Sequence, residues 1–253
     1  MKTVIVTGAS SGIGREFAEV LGNLSGVEEV WLIARRRDRL EELTSTIKAR
    51  VVPFPLDLSL FSSLEKYRMA LADRNPEVVA LVNAAGYGQF GEFENLSLLD
   101  QLGMVDVNVS ALTAVTYLTL PYMERGGEIY QLGSRAAFQP VPYLGVYGAT
   151  KSYVKSFSRS LNVELAHRGI RVIAVCPGWV RTEFFDRAAQ QPDVIQYYDR
   201  FYSVSQVVSQ AIRDMKRGKD VSVCGFWVRL QRILVKLLPH RLAMKIWCWQ
   251  QKK

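Results

Sequence analysis

Apolar and polar positions follow two rhythms along the chain. Short apolar runs cover 3–7, 29–34, 50–55, 77–83, 127–133, 171–176 and 220–224, each of strand length and beside a turn or charge signal. Helix-length segments lie between them at 12–24, 37–48, 61–73, 98–124, 147–168 and 204–217. Strands that are apolar throughout, separated by helices, describe a parallel sheet covered on both faces. The pattern therefore predicts an α/β fold: one doubly wound domain around a seven-stranded, mostly parallel sheet. No Pro/Gly/Ser-rich linker breaks the alternation. The domain is expected to fill residues 1–225, with 226–253 as a C-terminal helical extension.

Composition narrows the classes of function. Hydrophobic residues make up 49% and charged residues 22%, enough for a sizeable core and too apolar for wholesale disorder. Three scattered cysteines and two distant histidines, His167 and His240, give neither a disulfide framework nor a metal centre, so no metal is expected. The net charge of +8 is uneven: from Lys216 onward ten Lys/Arg face a single acid, Asp220, and the rest of the chain sums to −1. A basic tail on a neutral body argues against a nucleic-acid-binding surface. Met1-Lys2 leads straight into a strand rather than a signal-peptide core. The uncharged run 107–123 carries Asn108, Ser110 and Pro121, which suits a buried helix better than a membrane span. A cytoplasmic chain is the expectation.

Two local patterns carry chemistry. Thr7-Gly8-Ala9-Ser10-Ser11-Gly12-Ile13-Gly14 follows the first strand and opens the first helix. Glycines there let backbone approach a pyrophosphate, and the helix start offers free N–H groups and a positive dipole end. A ligand-free tight turn would read the same way in isolation. Tyr147 and Lys151 lie four apart at the start of a helix, hence on one face. A nearby ammonium favours phenolate and lowers a pKa that is near 10 in the free side chain. On its own this spacing also fits a solvated helix face.

Taken in order, the motifs resemble those of the short-chain dehydrogenase/reductase family, a Rossmann-type fold. Asn83-Ala84-Ala85-Gly86 is similar to the family's Asn-Asn-Ala-Gly, with alanine in place of the second asparagine. Asp57, beside Leu58, matches its adenine-contacting aspartate, and Pro177-Gly178-Trp179-Val180-Arg181-Thr182 resembles its turn under the nicotinamide. Ser134 and Asn108 complete an Asn-Ser-Tyr-Lys tetrad with Tyr147 and Lys151. The resemblance implies that Tyr147 is the general acid or base, that Ser134 bonds the substrate oxygen, and that Lys151 holds the nicotinamide ribose and depresses the tyrosine pKa. Asn108 would anchor a water that links Lys151 to solvent. The competing reading is a non-catalytic dinucleotide-sensing protein on the same fold, whose sign would be a damaged tetrad.

Charge at the end of the second strand bears on the cofactor. A carboxylate there would accept from the ribose 2′-hydroxyl of NAD; here Ala34 is followed by Arg35, Arg36 and Arg37. Alanine removes the repulsion against a 2′-phosphate and guanidinium groups grip it, so NADP(H) is the expected cofactor. Ser10, Ser11, Ile13 and Ala84 would border it.

Aromatic residues crowd the expected substrate side. Tyr87, Arg135, Trp179 and Phe184 are the candidate substrate contacts, and a hydrophobic ketone or secondary alcohol of hydroxysteroid, bile-acid or 3-oxoacyl type is the expected substrate. In the extension, Phe226, Leu230, Ile233, Leu234, Leu237 and Leu238 gather on one side of a helix and Arg229, Arg232 and Lys236 mark another, up to a break at Pro239. Two readings stand: a basic interfacial helix that touches lipid or roofs the substrate entrance, or ordinary docking onto the body or a partner subunit. A homo-oligomer, dimer or tetramer, is expected.

Overall fold

Six consecutive residues, Lys2–Thr7 (β1), open the chain, with Val4 and Val6 packed into one core and Ile5 into another. A strand with both faces buried must lie inside a covered sheet. In the computed structural model, which describes residues 1–188 and 194–252, it does. Lys253, the end of the extension, lies outside the described residues. After β1 come helix Gly12–Gly22 (α1), strand Glu29–Ala34 (β2), helix Arg37–Glu41 (α2), strand Arg50–Pro55 (β3), helix Phe61–Arg74 (α3) and strand Glu77–Asn83 (β4). Helices Leu98–Val105 (α4) and Leu112–Thr119 (α5) lead to strand Met123–Leu132 (β5), helix Gly145–Glu164 (α6) and strand Arg171–Val175 (β6). Two-residue strands Trp179–Val180 (β7) and Phe201–Tyr202 (β8) flank helix Phe184–Ala188 (α7). Helix Val204–Lys216 (α8), strand Val221–Ser222 (β9) and helices Phe226–Leu237 (α9) and His240–Gln250 (α10) follow.

The main sheet is seven-stranded and parallel, in the order β3-β2-β1-β4-β5-β6-β9. Chain order runs outward in one direction from β1 and in the other from β4, so the sheet reverses between these two strands. Doubly wound sheets bind ligands in the crevice beyond the C-terminal strand ends at that point. Phe17, Leu21, Val207, Val208 and Met215 of α1 and α8 cover one face. Tyr67, Leu71, Val115 and Leu161 of α3, α5 and α6 cover the other. A third cluster, with Phe90, Leu144, Trp179 and Trp247, lies apart from both.

Departures from the expected elements have local causes. The helix expected over 37–48 stops at Glu41 and tightens into a 3₁₀ turn, Glu42–Ser45. There the Thr44 and Ser45 hydroxyls donate back to the carbonyls of Glu41 and Glu42 (2.7 and 2.8 Å), competing with helix continuation. β5 starts at Met123, earlier than the apolar run at 127–133, because a register irregularity between Val78 and Ala80 absorbs the polar Glu124–Gly127 stretch. The expected strand 220–224 shrinks to two residues, and the β7–β8 ribbon is too short to leave a periodic signal. The apolar run Leu98–Tyr122 is long enough to cross a membrane by length and composition. It is nevertheless bonded into the sheet, since Thr116 Oγ1 accepts from Asn83 and Gln131, both at 2.9 Å. Midway, Asp106–Ala111 widens into a π-helical turn that carries Asn108, a distortion common at functional sites.

Candidate active site

The β1–α1 turn and the β4 end close on each other through Thr7, whose Oγ1 accepts from the backbone N–H of Ala84 and Ala85, both at 3.1 Å. Gly8 has φ +68°, and a Cβ there would sit 2.7 Å from Ala84 backbone; a Cβ at Gly14 would sit 2.3 Å from Gly8 O. Only glycine permits this approach. Ser11 precedes α1 without a side-chain cap, so the helix N–H groups stay available. A cavity of about 550 Å³ opens over this turn. Its cofactor-side wall includes Ser10, Ser11, Gly12, Ile13, Asp57 and Leu58, with Ala84, Gly86, Pro177, Gly178, Val180 and Thr182 further along. Of the expected cofactor contacts Asn83 alone stays outside the wall: it is buried, and its amide donates to Thr116. Ala34, Arg35 and Arg36 border the same cavity.

The catalytic candidates converge from three elements. Ser134 follows β5 and Tyr147 stands in the first turn of α6; both line the cavity, and the Ser134 hydroxyl acts to lower the proton affinity of the phenol. Lys151, one turn on and almost fully buried, donates from Nζ to the Leu132 carbonyl at 2.8 Å and lies 5.8 Å from the Tyr147 ring centre. Asn108 does not line the cavity. It accepts from the Tyr87 N–H (3.0 Å) and donates to the Tyr87 carbonyl (2.9 Å) and Thr150 Oγ1 (3.0 Å). Gly86 is the meeting point: a Cβ there would be 2.6 Å from Asn108 Oδ1 and 3.4 Å from Lys151 Nζ.

Burial sets the proton affinities. It pushes the Tyr147 phenol up to about 12, against the opposing effect of the Ser134 hydroxyl. It pulls the Lys151 ammonium down to about 8. The resemblance implies that Lys151, with the positive charge of an oxidised nicotinamide ring, depresses the tyrosine; burial of the phenol works against that. Lys151 is turned to Leu132 O, and burial outweighs the opposing contribution at the phenol.

A profile of the short chain dehydrogenase family matches residues 2–193. The chain belongs to that family. It is an NAD(P)-dependent oxidoreductase of the short-chain type, and its fold is the dinucleotide-binding one. The chain is 30% identical over 252 residues to hydroxysteroid dehydrogenase-like protein 1 of Gallus gallus, covering 97% of this chain and 73% of that one. It superposes on a short-chain dehydrogenase from Sphingobium yanoikuyae in complex with NADPH with TM-score 0.78 at 30% identity, covering 88% and 87% of the two chains. A bulky-bulky ketone specific alcohol dehydrogenase from Comamonas testosteroni gives TM-score 0.74 at 26% identity, covering 94% and 93%.

In this short-chain dehydrogenase the glycine cradle and the uncapped start of α1 fit a nicotinamide dinucleotide. The four expected substrate contacts, Tyr87, Arg135, Trp179 and Phe184, all line the cavity. The Phe184 ring lies 5.6 Å from that of Tyr147, and the Arg135 guanidinium stacks 5.0 Å over Trp179. Two features escape sequence reasoning. Asp199 accepts two bonds of 2.7 Å from Arg135 Nη1, and Glu183 pairs with Arg36 at 2.7 Å while Arg36 also donates to Ser10. Both partners are distant in sequence, and no spacing announces them. The roof that one reading of the extension offered is formed by Gln231, Arg232, Val235 and Trp247, from α9 and α10, which border the cavity. The aromatic content of 226–253 was a signal for this without identifying the inward residues.

Proposed function

We propose that the protein is an NADP(H)-dependent reductase of hydrophobic ketones, reversible as a secondary-alcohol dehydrogenase of hydroxysteroid, bile-acid or 3-oxoacyl type. The observation that carries this reading is that Tyr147 and Ser134 stand together in the wall of one cavity whose other walls are the glycine turn and an aromatic enclosure of Phe90, Trp179 and Phe184. The ketone-specific and hydroxysteroid-type relatives support the substrate class, and the NADPH complex of one neighbour supports the cofactor. So does the strand end itself, where Ala34 removes a carboxylate and Arg35 and Arg36 offer guanidinium groups to a 2′-phosphate.

Gly8–Gly14 and the start of α1 would hold the pyrophosphate, Asp57 and Leu58 the adenine side, Lys151 the nicotinamide ribose, and Pro177–Thr182 the ring. A bound nicotinamide would supply the hydride to the carbonyl carbon, or take it up from the carbinol carbon in the oxidising direction. Tyr147 gives its phenolic proton to the carbonyl oxygen as general acid, or removes it in the oxidising direction. Ser134 donates to the same oxygen as its charge grows, a contribution of about 3–4 kcal/mol in comparable oxyanion sites. Lys151 adds positive charge beside the phenolate as it forms. Asn108 fixes Tyr87 and Thr150, and through Thr150, whose hydroxyl donates to Tyr147 O at 2.7 Å, the start of α6.

An absorbance screen of NADPH and NADH oxidation against steroid, bile-acid, 3-oxoacyl and short aliphatic ketones tests the reading. Turnover should favour NADPH and the bulky ketones, and Ala34→Asp should shift the preference toward NADH. Turnover of none of these ketones, or equal use of both cofactors by the wild type and the variant, would remove it.

A further inference from the structure

Helices α9 and α10 turn their apolar residues to the wrong side for a pair that only packs onto its own domain. Their inner faces are accounted for: Val228, Val235, Ala243 and Trp247 are buried, Trp247 Nε1 donates to Pro142 O at 3.1 Å, and Arg232 lies 5.5 Å over the Phe138 ring. The opposite faces should be polar. Instead α9 exposes Phe226 (70%), Trp227, Ile233, Leu234 and Leu237 (78%), and α10 exposes Leu242, Ile246 and Trp249 (78%). Residues of both helices border the same cavity from their inner faces, so the outer face of each points away from it and each carries an exposed apolar stripe. Exposed apolar stripes of this kind mark an interaction site.

Charge selects the occupant. Residues 226–253 hold seven Lys/Arg and no Asp or Glu. Lys236, Arg241 and Lys245 are exposed on the flanks of the apolar faces. A second copy docked on this surface would bring two such basic segments together without compensation. An anionic lipid surface supplies the missing charge to the flanks, apolar depth to Leu237 and Ile246, and an interfacial layer suited to the amphipathic rings of Trp227 and Trp249. We propose that the outer faces of α9 and α10 are a docking surface for anionic phospholipid bilayers, lying in the interface plane rather than spanning it. The roof of the active-site cavity then rests on the bilayer, and an apolar substrate dissolved in lipid meets the entrance without crossing water. The docking surface itself stands whether or not the ketone-reductase reading does.

Vesicle co-sedimentation of the full chain tests it, using phosphatidylcholine vesicles with and without phosphatidylglycerol. The wild type should pellet with the anionic vesicles about tenfold more strongly than with the neutral ones. Two variants, Leu237→Glu with Trp249→Glu and Lys236→Glu with Lys245→Glu, should each lose that binding while keeping the wild-type thermal midpoint, since all four side chains are exposed. Wild type that stays in solution with anionic vesicles overturns the proposal, as does undiminished binding by the well-folded variants. A wild-type dimer that Leu237→Glu with Trp249→Glu splits into monomers, with no vesicle binding by either, assigns the surface to a second copy and equally overturns it.

Discussion

Lys151 is where burial and chemistry conflict most directly. The side chain is 4% exposed, its Nζ has the Leu132 carbonyl as acceptor, and burial lowers its proton affinity to about 8. Unfolded, the same amine titrates near its ordinary value of 10.5. Between those two values the unfolded chain binds the extra proton, so the contribution of this group to stability rises with pH there and is unfavourable below it. Replacing Lys151 with Met removes the titration. Wild type should therefore gain about 2 kcal/mol on the variant between about pH 7 and pH 10, as read from urea unfolding. A stability difference independent of pH would show that the buried ammonium carries no penalty. Spacing in the sequence was enough to unite Tyr147, Lys151 and Ser134. It was silent on Arg36 and Glu183, whose ion pair joins positions 147 residues apart.

At the level of elements, the strand–turn–helix at β1–α1 fixes the rest of the site. Its glycines are legible in sequence because only a missing Cβ allows the turn, and the structure gives the reason in contacts. A methyl at Gly14 meets Gly8 O at 2.3 Å, backbone against backbone, so neither side can yield by rotating a side chain. Gly14→Ala should lower the thermal midpoint and weaken dinucleotide binding by at least about tenfold in a fluorescence titration, since the cradle must open to admit the methyl. Wild-type affinity in this variant would contradict the assignment of the turn. Apolar runs located the six longer strands because five of them carry buried residues on both faces, while the edge strand β3 is apolar in sequence though only Val52 is buried. They failed where hydroxyl back-bonding shortened α2, where a register irregularity lengthened β5, and where β7 and β8 are two residues each. The π-helical turn around Asn108 leaves no signal in hydrophobic period, because the surrounding segment is apolar on most sides.

For the whole molecule, the decisive feature is that the last two helices close a cavity begun by the sheet. Trp247 is the keystone: it is 4% exposed, it packs in the cluster that holds Tyr147 and Trp179, and it is bonded to Pro142 O. Trp247→Ala should cost about 3–5 kcal/mol of stability, as large-to-small core changes do. It should also raise KM for a bulky ketone more than for a small one, because the roof is lost while Ser134 and Tyr147 are untouched. An equal change for both ketones would place the substrate elsewhere. The sequence displayed the amphipathic period and the basic bias of this segment. It left open whether that apolar side meets lipid or the body; in the structure Phe226, Ile233, Leu234 and Leu237 of that side are exposed, while Val228, Val235 and Trp247 pack inward.

The central claim is that Tyr147 transfers the proton in a cavity shared by cofactor and ketone, and a single-turnover measurement with Tyr147→Phe reaches it most directly. Enzyme preloaded with NADPH is mixed with the best ketone of the screen, and the loss of nicotinamide absorbance is followed for wild type and variant, with NADPH affinity measured separately. The account predicts near-unchanged affinity and a rate reduced about 10²–10⁴-fold, the usual contribution of a positioned acid–base group. A variant that turns over within about tenfold of wild type would contradict it.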